Sequence, residues 1–192
     1  LILILFPKTL FSVTEEARAV WVTRWDFKSA SDIQTIVDRA KNANFNIILF
    51  QVRGVADALY KSNYEPWSAL LGTLGQDPGW DPLQEAVTRA HAAGLELHAW
   101  LNTYPVWSGT TLPPHTTPEH IYHTHPEWIA ADTTGQPMAL NSSYICLSPG
   151  IPAVNDHIVN VAADIAANYD VDGIHFDYIR YYGKQYSHDT IS

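Results

Sequence analysis

Val171-Asp172-Gly173-Ile174-His175-Phe176-Asp177-Tyr178-Ile179-Arg180-Tyr181 is the stretch whose reading decides the fold. A short apolar run opens after an Asp-Gly turn and closes on a carboxylate flanked by aromatic rings. Successive side chains of a strand point to opposite faces, so His175 and Asp177 share one face and Ile174 and Phe176 the other. Ile174 and Phe176 are expected to pack outward on helices. His175 and Asp177 then point into a barrel, with Asp177 at the carboxyl-terminal rim, where α/β barrels carry their chemistry. The plainer use of the same Asp is to cap the loop after the strand.

The sequence before this stretch alternates between strand and helix signals. Residues 19–25 form a Val/Trp/Thr run that reads as a first strand. Ser29 or Ser31 is placed to cap a helix over residues 32–42, where Ile33, Ile36, Val37 and Ala40 recur at helical spacing. Residues 45–52 read as a second buried strand, ending in Arg53-Gly54. Residues 55–79, with Tyr60, Tyr64, Pro66 and Trp67, show no period and read as a rim loop. Asp81-Pro82 opens a second helix whose buried stripe is Leu83, Ala86, Val87 and Ala90, and Gly94 ends it. Residues 95–102 are a third strand. The connection over residues 105–149 is far longer than usual, which points to a function or to a small hairpin of its own. A third long helix runs from Gly150-Ile151-Pro152 to Asn168, with Val154, Ile158, Val161 and Ile165 in register.

This order signals a parallel sheet. There is no GxGxxG and no P-loop, so a dinucleotide-binding fold loses its main support. The expected fold is α/β: the N-terminal half of a (β/α)8 TIM barrel, its four parallel strands side by side in chain order, with a long insertion after the third. A complete barrel takes about 200 to 250 residues or more. Here 192 residues carry four strands, so residues 18–192 read as an incomplete barrel. Such a piece is expected to be inactive alone and poorly soluble, because open strand edges invite pairing with other chains.

Alternation also nominates a site. Gln51 and Arg53 share a face of the second strand; Glu96, His98, Trp100 and Asn102 share a face of the third. Turned toward the helices, these polar groups would stay unpaired at about 1–3 kcal/mol each, so they are expected inside the barrel. Arg53, Asn102 and Asp177 then sit near the rim, with Gln51, His98 and His175 a layer deeper. For the first strand the pattern leaves open whether Thr23 and Trp25, or Arg24 and Asp26, face the site. Glycoside hydrolysis needs two carboxylates about 5 to 9.5 Å apart. Asp177 is one candidate; the second is Asp26 or an acid on a later strand. Trp25, Tyr104, Trp107 and Trp128 are expected to form a stacking wall, and Tyr178 to join the substrate contacts. One rival is a non-catalytic glycan-binding barrel that keeps the aromatic cleft. Another is a metal-dependent hydrolase or deacetylase using His98, His175 and Asp177.

Composition narrows the partners. Hydrophobic residues make up 46% and charged residues 16%, the profile of a folded chain with a core. A formal net charge of −9 argues against nucleic acid and anionic membranes, which need a basic footprint. The 7 Trp, 10 Tyr and 6 Phe fall often in loops and at strand ends, where rings suit a flat, amphipathic ligand such as a sugar. Cys146 is the single cysteine, so no internal disulfide and no Cys-rich zinc site is possible. His115, His120, His123 and His125 crowd one loop, but Pro113, Pro114, Pro118 and Pro126 deny it a regular face to aim them, so no metal or other cofactor is expected. Leu1 to Phe6 is wholly apolar and resembles the tail of a signal-peptide core. It is too short to span a bilayer, so no integral membrane segment is expected. Residues 1–17 are read as a leader remnant, and the mature protein as exported to the periplasm, cell envelope or outside.

Six ordered blocks resemble the glycosyl hydrolase-like 10 domain family. They are Arg18-Ala19-Val20-Trp21-Val22-Thr23, residues 45–54 (FNIILFQVRG), Trp80-Asp81-Pro82-Leu83, residues 90–102 (AHAAGLELHAWLN), His125-Pro126-Glu127-Trp128, and the Val171 to Tyr181 strand. The resemblance implies an exported bacterial TIM-barrel glycosidase acting on cell-wall glycan of the peptidoglycan type or another polysaccharide. It places Asp177 at the family's acidic position after strand four. The family domain is longer than this chain, so the resemblance does not assign the full catalytic pair.

Overall fold

Hydrophobic alternation along four short runs, each following a turn, builds the sheet, and amphipathic stripes cover it. The structure is a computed structural model and describes residues 16–189. The expected leader falls almost entirely outside the described residues. In chain order the elements are β1 (Ala19–Val22), α1 (Ala30–Asn42), β2 (Ile47–Arg53), α2 (Pro82–Ala92), β3 (Glu96–Asn102), β4 (Pro105–Gly109), α3 (Ile121–Thr124), β5 (Asn141–Cys146), α4 (Pro152–Asn168) and β6 (Gly173–Asp177). The main sheet has the order β1-β2-β3-β6, and every neighbouring pair is parallel. These are the four strands of a half barrel in the order expected from the sequence.

Helix boundaries follow their caps. Ser29, not Ser31, caps α1, its hydroxyl accepting from the Asp32 amide. The Asp81 side chain accepts from the Gln84 amide to open α2, with Pro82 in the first turn. Gly94, at φ +70°, lets the chain reverse out of α2 into β3. The helix stripes meet one face of the sheet. Ile33, Val37, Leu83, Ala86, Val87, Val161 and Ile165 pack with Val22, Ile48, Phe50, Leu97, Ala99 and Leu101 in the main core. Ile174 joins this core as expected, whereas Phe176 remains 38% exposed. The Asp-Gly turn before β6 has a specific partner set: Asp172 Oδ2 accepts from the Leu97 amide and from His91 Nε2, both at 2.8 Å. That carboxylate ties the start of β6 to β3 and to α2.

The long connection after β3 does carry a hairpin. β4 and β5 pair antiparallel, and a second apolar cluster forms around them from Tyr104, Val106, Ile121, Ile129, Met138, Ile145, Leu147, Ile151 and Val154. The insertion is thus a small layer with its own core, seated against the N-terminal part of α4. Among the described residues, no helix is long and apolar enough to cross a membrane.

Candidate active site

Register fixes which side chains are neighbours on the inner face. Asn102 pairs with Asp177, Trp100 with His175, and His98 with Gly173. Gln51 stands opposite Trp100, and Leu49 opposite His98. Asp177 is the last residue of β6 and shares its level with Asn102 at the carboxyl-terminal end of the sheet. The Thr103 amide donates to the Asp177 carbonyl at 2.8 Å, so the two strand ends remain locked beyond the ladder. Asn102 is 1% exposed and held from both sides: its Oδ1 accepts from Gln51 Nε2 at 3.2 Å, and its Nδ2 donates to the Gly54 carbonyl at 3.0 Å. One level down, His175 Nε2 accepts from Trp21 Nε1 at 3.3 Å, with the Trp100 ring 6.2 Å away. His98 lies lower still and pairs with Glu96 at 3.0 Å. At about 3.3 Å per residue, it is about 13 Å below the level of Asp177. That spread removes the metal-dependent reading built on His98, His175 and Asp177, since ligands of one ion lie within about 4 Å of each other.

The expectation for Arg53 is corrected. A register shift between Gln51 and Arg53 sets Arg53 opposite Leu101, whose side chain belongs to the helix-facing core. A bulge of this kind breaks simple alternation. Arg53 is fully buried and holds Glu65 in two contacts of 2.8 Å, through Nε and Nη2. Its Nη1 donates to the Asn102 and Thr103 carbonyls. His157 of α4 reaches the same Glu65 carboxylate at 3.1 Å. Burial alone would raise the Glu65 carboxyl; the Arg53 charge and the His157 contact outweigh it and hold it down at about 2. Arg53 therefore braces the backbone at Asn102 and Thr103, where β3 ends.

Asp26 is also accounted for locally. Its Oδ2 accepts from the Thr23 amide at 2.7 Å and the Thr23 hydroxyl at 2.8 Å, closing the turn after β1. The stacking wall does not assemble as expected. The Tyr104 hydroxyl donates to Asn155 Oδ1 inside the insertion's core, and Trp107 Nε1 donates to the Thr111 carbonyl. Trp128 stacks on His125 at 3.9 Å. The insertion uses these rings to build its own layer. Trp25 alone stays at the strand ends, 59% exposed.

The sequence leaves Arg24 open and gives no sign of Tyr144 or Arg180 beside it. Arg24 lies beneath the Trp25 ring at 3.9 Å, donates its amide to Gln51 Oε1 at 3.1 Å, and sends Nη2 to the Tyr144 hydroxyl at 2.9 Å. Tyr144, from β5, meets the Tyr178 ring edge-on at 5.3 Å, and the Arg180 guanidinium lies over the Tyr178 ring at 4.9 Å. A line of cations and rings thus spans the sheet's carboxyl end from β1 to β6. Trp25, Arg24, Tyr144 and Ser142 line a cleft of about 260 Å³ there. Tyr178 adopts φ +54°, a conformation that is costly for a side chain of its size. Asp177 Oδ1 accepts from the Tyr178 amide at 2.6 Å across that turn. Asp57, in the rim loop, is a further buried carboxyl, pushed up by desolvation.

Residues 16–192 match the family described as Glycosyl hydrolase-like 10. The chain belongs to that family. As a glycosyl hydrolase-like 10 member it is 31% identical over 175 residues to Glycosyl hydrolase YngK of Bacillus subtilis, a match covering 84% of this chain and 32% of the relative. It is 32% identical over 199 residues to Glycosyl hydrolase DigH of Escherichia coli K12, covering 89% of this chain and 43% of the relative. The chain therefore spans a third to two fifths of the length of these curated relatives. Among solved structures, a hypothetical protein from Ruminiclostridium thermocellum superposes with a TM-score of 0.63 at 18% identity, covering 86% of this chain and 78% of the other. The α-galactosidase TtGalA of Thermus thermophilus gives 0.56 at 14% identity, covering 85% and 31%. At such identities the likeness concerns the fold, and it is the fold of barrel glycosidases.

Proposed function

We propose that the chain supplies the acid-bearing half of a glycoside hydrolase acting on a polysaccharide or cell-wall glycan, with Asp177 as a catalytic carboxylate. The observation that carries this reading is the position of Asp177. It ends β6 at the carboxyl-terminal edge of a parallel half barrel, beside a buried, doubly anchored Asn102, in a glycosyl hydrolase-like family. Barrel enzymes place their chemistry at that edge. Asn102 is held so that its amide cannot swing, which suits a group that orients a sugar hydroxyl or the carboxylate itself. Trp25, Tyr144 and Tyr178 offer ring faces at the same end, and Arg24 fixes two of them. The partner acid of the two-carboxylate mechanism belongs, in this reading, to a later strand of the full-length protein. Export to the envelope or outside is part of the same proposal and rests on the apolar run at residues 1–6.

The test is release of new reducing ends from polysaccharide and peptidoglycan-type glycan strands by the full-length protein, run beside a binding assay on the same glycans. Hydrolysis supports the enzyme. Binding without hydrolysis in the unaltered protein favours the glycan-binding rival, and neither outcome on any glycan removes both.

A further inference from the structure

The loop between β4 and α3, with α3 itself, brings together three donors of the kind that hold a transition-metal ion. His115, Glu119 and His123 each offer one ligand atom, and those atoms lie within 4.8 Å of one another. The expectation that this proline-rich loop cannot aim its histidines is thereby corrected for two of the four. The His115 and His123 rings lie nearly parallel, 4.3 Å apart at 23°. His115 Nδ1 sits 3.1 Å from Glu119 Oε2. His123 Nε2 lies 2.7 Å from the Pro113 carbonyl. A carbonyl only accepts, so Nε2 carries the proton and Nδ1 keeps its lone pair for a ligand. Metal-bound histidines are oriented in this way, by a hydrogen bond from the ring nitrogen that does not bind. The other two histidines are committed elsewhere: His120 Nδ1 accepts from the Tyr122 amide, and His125 stacks on Trp128.

We propose that His115, Glu119 and His123 form a binding site for a divalent transition ion of the zinc type. Two imidazoles and one carboxylate are a donor set that zinc accepts, with a fourth position left to water. Zinc at about 2.0 to 2.1 Å from each donor holds them about 3.4 Å apart, so donors now within 4.8 Å of one another need draw in by at most about 1.4 Å. His115 can make that movement, since its side chain is 80% exposed, while His123 and Glu119 are partly buried and better fixed. His115 also borders an open cleft of about 440 Å³ with Gly75, Gln76 and Thr116, which leaves the fourth position within reach of solvent. Bound there, the ion clips the loop at residues 113–123 to itself and ties the entry of α3 to the end of the β4 connection. The site is separate from Asp177 and does not depend on the glycosidase reading.

The experiment uses the full-length protein, freed of any affinity tag and stripped with a chelator. Zinc is titrated in competition with a chromophoric chelator at neutral pH, and cobalt is added separately to read its visible absorption. One equivalent of zinc and the intense bands of four-coordinate cobalt are expected. His115→Ala, at an exposed position that leaves the fold intact, should weaken zinc binding more than 100-fold, beyond the roughly 10- to 100-fold typical of losing an outer hydrogen-bond partner. Glu119→Gln should do the same, and His125→Ala should change nothing. No stoichiometric zinc in the unaltered protein overturns the proposal, as does an affinity unchanged in His115→Ala and Glu119→Gln with far-ultraviolet dichroism preserved.

Discussion

Arg53 and Glu65 face each other through two parallel contacts of 2.8 Å with neither side chain open to solvent. The pair joins the bulged end of β2 to the rim loop, His157 adds α4 to it, and the remaining guanidinium nitrogen holds the carbonyls of Asn102 and Thr103. Removing one partner of such a pair strands a buried charge. Arg53→Met is expected to destabilise the fold by about 3–5 kcal/mol, measured by urea unfolding. A loss below about 1 kcal/mol, as for an exposed pair, would mean that the bracing is not needed.

The same pair sets an acid limit. The Glu65 carboxyl is held at about 2 against an ordinary 4.5. Its folded value is depressed, so its stabilising contribution is complete above about pH 4.5 and is lost as pH falls toward 2. A tenfold difference in proton affinity between the folded and unfolded chain corresponds to about 1.4 kcal/mol, so about 3 kcal/mol should disappear across that window. Unfolding midpoints measured from pH 5 to pH 2 should fall more steeply in the unaltered protein than in Glu65→Gln. Parallel profiles would contradict this origin.

Trp25 tests the sugar face. The ring is 59% exposed and rests on Arg24, so Trp25→Ala should change stability by no more than about 1 kcal/mol, the scale of an exposed cation–π contact. Glycan affinity of the full-length protein should nevertheless fall clearly. Unchanged affinity in a calorimetric titration would take Trp25 out of the site.

The sheet edges bear on solubility. β1 and β6 each pair on one side only within the described residues, and Trp21 is 57% exposed on the inner face. Open edges beside exposed rings promote association. The 192-residue chain expressed alone should therefore aggregate. A monodisperse monomer with a single cooperative melt in light scattering and calorimetry would reject that expectation.

Strand order and helix stripes are legible in the sequence because they depend on local periodicity, and Val154, Ile158, Val161 and Ile165 are buried on α4 as their spacing requires. The pairing of Asp177 with Asn102 follows from the same alternation. Arg53 departs from its expected place because one extra residue in a strand reverses the face of all that follows, and composition carries no trace of a bulge. Tyr104, Trp107 and Trp128 depart from theirs because residues 105–149 build a second apolar cluster against which all three rings pack, and a linear reading does not distinguish such rings from ones that line the sheet's cleft. Alternation does not decide Arg24 because β1 ends at Val22, before the positions in question, and its partner Tyr144 is 120 residues away in the chain.

Asp177 has two uses in this structure, and one substitution separates them. Its Oδ1 accepts from the Tyr178 amide at 2.6 Å and so caps a turn in which Tyr178 sits at φ +54°. Asn at this position keeps an Oδ1 acceptor of the same reach, so the cap and the fold should survive Asp177→Asn. It loses the negative charge and the ability to exchange a proton or attack an anomeric carbon. If Asp177 serves as acid, base or nucleophile, turnover of a glycan by the full-length protein should fall by roughly 10²- to 10⁴-fold, with glycan binding and melting temperature kept. Asn102→Ala makes the comparison complete. It removes the hydrogen bonds that join Gln51, Gly54 and the inner face, and should lower stability as well as turnover, because Gln51 and the Gly54 carbonyl lose a buried partner at about 1–3 kcal/mol each. Near-normal turnover in Asp177→Asn would leave the carboxylate with its structural use alone.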